Sequence, residues 1–198
     1  MDGKRPAKKV TNKRLILVLG GARSGKSDYA QQLAAQLGER VLYVATATAG
    51  DGEMAQRITA HRARRPAHWQ TLEAATDVAT ALSKIVDKVD VVLLDCLTML
   101  ASNVLLNGGE DSLNEARVEE QLNAEIDALL SWYEQHQASL IIISNEVGMG
   151  LVPPYPLGRA YRDLLGRANQ RLAARADVVL FLVAGLPIDL KTWRWPGF

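Results

Sequence analysis

Apolar residues along this chain gather into five short, continuous runs: 14–20 (RLILVLG), 40–47 (RVLYVATA), 90–96 (DVVLLDC), 139–147 (SLIIISNEV) and 177–185 (DVVLFLVAG). Runs this short, rich in Val, Ile and Leu and almost free of polar positions, predict strands buried on both faces. The segments 26–37, 75–86, 114–136 and 158–175 repeat their apolar positions with a helical period instead. Strands alternating with helices predict βαβ units, hence an α/β fold: a mostly parallel sheet between two helical layers, in one domain over 14–186. In NGGEDSLNEARVEEQ, Ser112 and Glu115 are spaced as a capping box, so a loop is expected to open there into a long surface helix. The basic segment 1–13 and the aromatic, basic segment 187–198 are expected to be tails.

Composition narrows the class. A chain of 198 residues suits one domain with a sizeable core. The formal net charge of +1 provides no general field to draw the protein onto nucleic acid. The single cysteine, Cys96, excludes an intramolecular disulfide and fits a reducing cytoplasm. No run reaches the roughly 18 apolar residues of a membrane span, and residues 1–13 do not read as a secretory signal.

Residues 20–27, GGARSGKS, fit the pattern G-x-x-x-x-G-K-[ST]. The glycines allow the backbone to bend until several N–H groups converge on phosphate oxygens, and the helix that follows points its positive end at them. Gly20, Gly21, Ala22, Arg23, Ser24 and Gly25 form the cradle. Lys26 reaches the β- and γ-phosphates, and the Ser27 hydroxyl is a ligand for Mg²⁺. A buried strand before the motif and a helix after it supply the required context. Asp95, closing the apolar run DVVLLDC, is the matching acidic residue for the metal, at a strand end where ligands of open α/β sheets bind. A nucleoside triphosphate, ATP or GTP, with Mg²⁺ is therefore expected. Kinases, switch GTPases and motor ATPases all satisfy that much.

The discriminating stretch is DGEMAQRITAHRARRPAHW, 51–69. If 52–62 is helical, Glu53, Arg57 and His61 share a face, with Arg62, Arg64 and Arg65 following before Pro66 ends the helix. Neighbouring cations disfavour imidazolium, leaving a neutral, nucleophilic ring, and the arginines suit triphosphate charge. On this arrangement alone His61 reads equally as catalytic or as a structural or surface residue. His68, next to Trp69, reads as structural and His136 as a solvated residue at a helix end. The histidines and Cys96 lack the spacing of a metal site.

The segments LVLGGARSGKS, VLYVATA, DGEMAQRITAHRARRPAHWQTLE, LLDCLTML, SNEVGMGLVP and RDLLGRANQRLAARAD, in that order over 14–186, resemble the bifunctional adenosylcobinamide kinase / adenosylcobinamide-phosphate guanylyltransferases of cobalamin biosynthesis. The resemblance implies phosphorylation of adenosylcobinamide from ATP or GTP. It also implies transfer of GMP from GTP to adenosylcobinamide phosphate through a guanylylated histidine, which falls on His61. Some members carry a histidine just before it, where this chain has Ala60. The resemblance further implies nucleotide contacts at Gly20 to Ser27, at Ala45, Thr46 and Ala47, at Arg62, Ala63, Arg64 and Arg65, and at Glu73 and Asp95. A carboxylate at Glu73 can accept from N1–H and N2–H₂ of guanine; the same residue also reads as an acid near a helix start. Glu146, at a strand end, is a candidate for activating the substrate hydroxyl, and NEVGMGLVPPYP for a corrinoid or subunit surface. Homo-oligomers are expected. Two readings compete: a regulatory nucleotide switch, and a member keeping one of the two activities.

Overall fold

The computed structural model describes residues 13–48, 59, 62, 65–85, 88–107 and 114–193. Seven strands form one sheet: β1 (Leu15–Gly20), β2 (Val41–Ala45), β3 (Gln70–Glu73), β4 (Val91–Asp95), β5 (Ser139–Ile143), β6 (Val178–Val183) and β7 (Leu186–Asp189). Their order is β3-β2-β4-β5-β1-β6-β7. All pairs are parallel except β6 with β7, which form an antiparallel hairpin. The helices given ranges among the described residues are α1 (Lys26–Leu37), α2 (Val78–Ser83), α3 (Leu97–Asn107), α4 (Glu115–Gln135) and α5 (Pro156–Arg175).

The central strands show why the runs read as strands. Leu15, Leu17 and Leu19 of β1 enter one apolar cluster while Ile16 and Val18 enter the other. The same alternation sends Val92 and Leu94 one way and Val91 and Leu93 the other, with all four at 0 % exposure. Period-two side chains thus fill two cores, one on each face of the sheet. The larger core is closed by helices whose apolar residues recur at helical spacing: Val118, Leu122, Ile126 and Leu129 of α4, and Leu164, Leu165, Ala168 and Leu172 of α5. Each such leucine or isoleucine contributes about 1.5–3 kcal/mol by leaving water. The smaller core is covered by α1, through Ala30 and Ala34, and by Trp69. The result is a three-layer sandwich.

The five expected strands are all present. The pattern missed β3, β7 and α3, and residues 187–189, expected in a tail, belong to β7. Helix α2 is shorter than the expected 75–86. The capping box at Ser112 and Glu115 is replaced: Asn114 is the cap of α4 and accepts from the Arg117 amide at 3.3 Å, while Ser112 lies outside the described residues. The segment 1–12 lies outside them as well.

Candidate functional site

The end of β1 turns sharply into α1. Gly20 has φ +150° and Gly25 +93°, and Arg23 also takes a left-handed conformation at +57°. Gly25 is the N-cap of α1 and makes no side-chain cap, so first-turn amides of the helix remain available to an anion. The loop is braced from the β6–β7 turn, where the Gly185 amide donates to the Ser24 carbonyl at 2.9 Å. Ser24 Oγ is buried with no hydrogen-bond partner among the described residues, as a hydroxyl waiting for an acceptor would be. Ala22 lies exposed on the loop, and Ser27 sits in the first turn of α1. Lys26 is only 7 % exposed, and its Nζ donates to the Gly21 carbonyl at 2.6 Å. Burial lowers its pKa, with Cys96 and Asp95 pulling the other way. These features fit a polyphosphate: an uncapped helix start, an orphaned hydroxyl and a desolvated cation.

The parallel register lines up the other expected contacts. Ala45 pairs with Glu73 on one side and Asp95 on the other; Asp95 pairs with Ile143, and Ile143 with Val18, two residues before Gly20. Glu73, Ala45 and Asp95 therefore stand in one row at the carboxyl edge of the sheet. From β3 to β1 that row spans four strand spacings, roughly 19 Å, so Glu73 stands at the end of the row away from the phosphate loop. The Arg62 guanidinium approaches Glu73 Oε1 at 3.8 Å, with both side chains exposed. Thr46 is brought to the row and then spent on the protein itself. Its hydroxyl donates to the Cys96 carbonyl at 2.7 Å and accepts from the Cys96 amide at 2.8 Å, while its carbonyl accepts from Asn103. Ala45 and Ala47 flank it, partly exposed.

The sequence reading did not single out Tyr43. Its hydroxyl donates to Asp95 Oδ2 at 2.5 Å, and the Arg65 guanidinium lies 3.5 Å above its ring. Burial first, then Asp95, raises the pKa of Tyr43, so it stays a protonated donor. Glu146 also comes into the site, its amide donating to the Gly20 carbonyl at 3.0 Å and its Oε1 accepting from the Gly148 amide at 2.5 Å. Beyond it Met149, Leu151 and Val152 are exposed. His61, Ala63 and Arg64 lie outside the described residues. His68, expected to be structural, is exposed, and the buried neighbour is Trp69. His136 is exposed and stacks on Trp132 at 4.3 Å. Among the described residues no three His, Cys, Asp or Glu side chains cluster as a metal cage. The two residues expected to meet Mg²⁺ stand at element ends, Ser27 in the first turn of α1 and Asp95 as the last residue of β4.

Sheet, loop and row together define a phosphate-loop nucleotide-binding protein of the α/β class. The chain matches the sequence model of the family described as cobinamide kinase / cobinamide phosphate guanyltransferase over residues 16–190, and it belongs to that family. It is 46 % identical over 175 residues to the bifunctional adenosylcobalamin biosynthesis protein CobP of Pseudomonas aeruginosa, covering 88 % of this chain and 96 % of that one. With the bifunctional adenosylcobalamin biosynthesis protein CobU of Escherichia coli it shares 41 % identity over 181 residues, 89 % and 99 % of the two chains. Among solved structures, that of the RadB recombinase is similar with a TM-score of 0.45 and 20 % identity, over 85 % of this chain and 73 % of that one. No helix among the described residues is long and apolar enough to cross a membrane.

Proposed function

We propose that this chain carries out both reactions of its family on one nucleotide site. In the first, the free hydroxyl of adenosylcobinamide attacks the γ-phosphorus of ATP or GTP, the β–γ bridging bond breaks and the nucleoside diphosphate leaves. In the second, a nitrogen of the neutral His61 ring attacks the α-phosphorus of GTP and pyrophosphate departs. The phosphate of adenosylcobinamide phosphate then displaces the imidazole, giving adenosylcobinamide-GDP. A covalent relay splits one displacement into two and keeps GMP activated between them.

The observation that carries this reading is the row from Glu73 through Asp95 to the phosphate loop, with Arg62 and Arg65 beside it, in a chain of this family. Lys26 and the loop amides balance the charge that builds on the leaving phosphates. Arg62, drawn to Glu73, and Arg65, beside Thr71, offer fork-shaped donors to the nucleotide. Glu73, too far along the row to touch phosphate, is left to read the guanine edge. Ser27 and Asp95 would hold Mg²⁺, which when bound neutralises phosphate charge. The exposed Met149, Leu151 and Val152 are assigned to the corrinoid body. A homo-oligomer in the cytoplasm belongs to the same reading, and sedimentation checks its assembly.

The test uses two separate assays: γ-labelled ATP or GTP with adenosylcobinamide, and α-labelled GTP with adenosylcobinamide phosphate. Label in both corrinoid products is expected. Label in one product alone reduces the protein to a single activity, and label in neither overturns the reading.

A further inference from the structure

Tyr43 is a strand residue at 1 % exposure, yet it touches both halves of the site. It shares a sheet face with Asp95 because Tyr43 pairs with Leu93, and Asp95 is two residues further along β4. The hydroxyl reaches Asp95 Oδ2 at 2.5 Å, which uses one carboxylate oxygen and leaves Oδ1 as the oxygen for a metal or its water. The Arg65 guanidinium carbon lies over the ring, 3.5 Å from its centroid, with NH1 3.4 Å from Thr71 Oγ1 on β3. Its Nε–H is buried with no acceptor among the described residues. A hydroxyl donating to a carboxylate leaves its ring richer in electrons, and a richer ring attracts a guanidinium more strongly.

We infer that Tyr43 is a positioning residue that aligns the Asp95 carboxylate for the metal and the Arg65 guanidinium for the nucleotide in one shared geometry. The chain Asp95–Tyr43–Arg65 joins the end of β4 to the arginine-rich element across one aromatic ring. Among the described residues the Tyr43 bond occupies Oδ2 at one end, and Nε–H has no acceptor at the other. The inference rests on the nucleotide site proposed above and adds to it the part that sets metal and arginine contacts together.

Two variants separate the two contacts. Tyr43→Phe keeps the platform under Arg65 and removes the bond to Asp95. Tyr43→Leu removes both, and Tyr43→Met takes its place if the leucine variant melts below the assay temperature. In Tyr43→Phe the Mg²⁺ concentration for half-maximal rate is expected to rise about ten- to a hundredfold in both reactions, with kcat recovered at saturating Mg²⁺. Binding of Mn²⁺ to the GTP complex, read by electron paramagnetic resonance, should weaken by the same factor. The affinity for mant-labelled GTP in EDTA should match the unmodified protein in Tyr43→Phe and fall about tenfold in the second variant, as it does in Arg65→Ala. An unchanged Mg²⁺ and Mn²⁺ dependence in Tyr43→Phe overturns the inference, as does equal metal-free affinity in the two Tyr43 variants. A parallel loss of all activities tracking the melting temperature shows a purely structural tyrosine. Failure of the unmodified protein to bind mant-labelled GTP strikes the nucleotide site itself instead.

Discussion

The Glu146 amide donates to the Gly20 carbonyl at 3.0 Å, so the chain leaving β5 is tied to the first glycine of the phosphate loop. Because β5 lies between β1 and β4, whatever follows it emerges between the loop and Asp95. The Glu146 carboxylate is held there by the Gly148 amide, and a Cβ on Gly148 would come within 2.9 Å of it. In the function proposed above, this carboxylate is the candidate for taking the proton of the attacking hydroxyl. Glu146→Gln should lower γ-phosphoryl transfer to adenosylcobinamide by about 10²–10⁴-fold. GMP transfer to adenosylcobinamide phosphate, which has no hydroxyl to activate, should stay within a few-fold. Parallel assays of the two steps check it.

Lys26 gives the site a pH signature. Its folded pKa lies below the usual 10.5 because the ammonium is desolvated, and a bound polyphosphate restores the charged form. Nucleotide affinity should therefore fall as pH rises through this lowered range, before an ordinary lysine would titrate. Stability without nucleotide moves the other way. Between the folded and unfolded pKa values the unfolded chain binds more protons, so the penalty of burying the charge fades with rising pH. Calorimetric titration in buffers of different ionisation enthalpy should detect proton uptake on GTP binding at alkaline pH, and Lys26→Met should abolish it.

At Gly20 the limit is steric. A Cβ there would lie 2.5 Å from the Leu182 carbonyl oxygen and 2.8 Å from Ser24 Oγ, on a backbone at φ +150°. At Gly21 it would meet nothing within 4 Å. Gly20→Ala is expected to cost about 1–3 kcal/mol and to weaken nucleotide binding. Gly21→Ala should leave the stability within about 0.5 kcal/mol of the unmodified protein. Thermal melts of the two variants side by side make the comparison.

Glu73 should govern the choice of base. Its exposed pairing with Arg62 contributes little to stability. Glu73→Ala should thus melt like the unmodified protein while losing about ten- to a hundredfold of its preference for GTP over ATP in the nucleotidyl step. Competition of the two nucleotides in the transfer assay reads the ratio.

What could be read in advance follows burial. Strands covered on both faces must be apolar throughout, and β1, β2, β4, β5 and β6 announced themselves that way. Edge strands carry no such demand. Gln70–Glu73 is largely exposed, and Leu186–Asp189 contains Pro187, tolerated because it lies at the sheet edge. Helix α3 begins one residue after β4 and is apolar on most sides, so no turn residue separates it from the strand. The phosphate loop was legible because glycine spacing is itself the chemistry. Tyr43 was not: in sequence it is one more apolar position of β2, and only the register with β4 reveals the carboxylate it faces.

The covalent relay is the claim on which the account turns, and its direct measurement is protein labelling by α-labelled GTP in the absence of corrinoid. The account predicts stoichiometric release of pyrophosphate and a protein-bound label that is labile to acid, stable to alkali and absent from His61→Ala. Label persisting in His61→Ala, or GMP transfer proceeding in that variant at the unmodified rate, would contradict it.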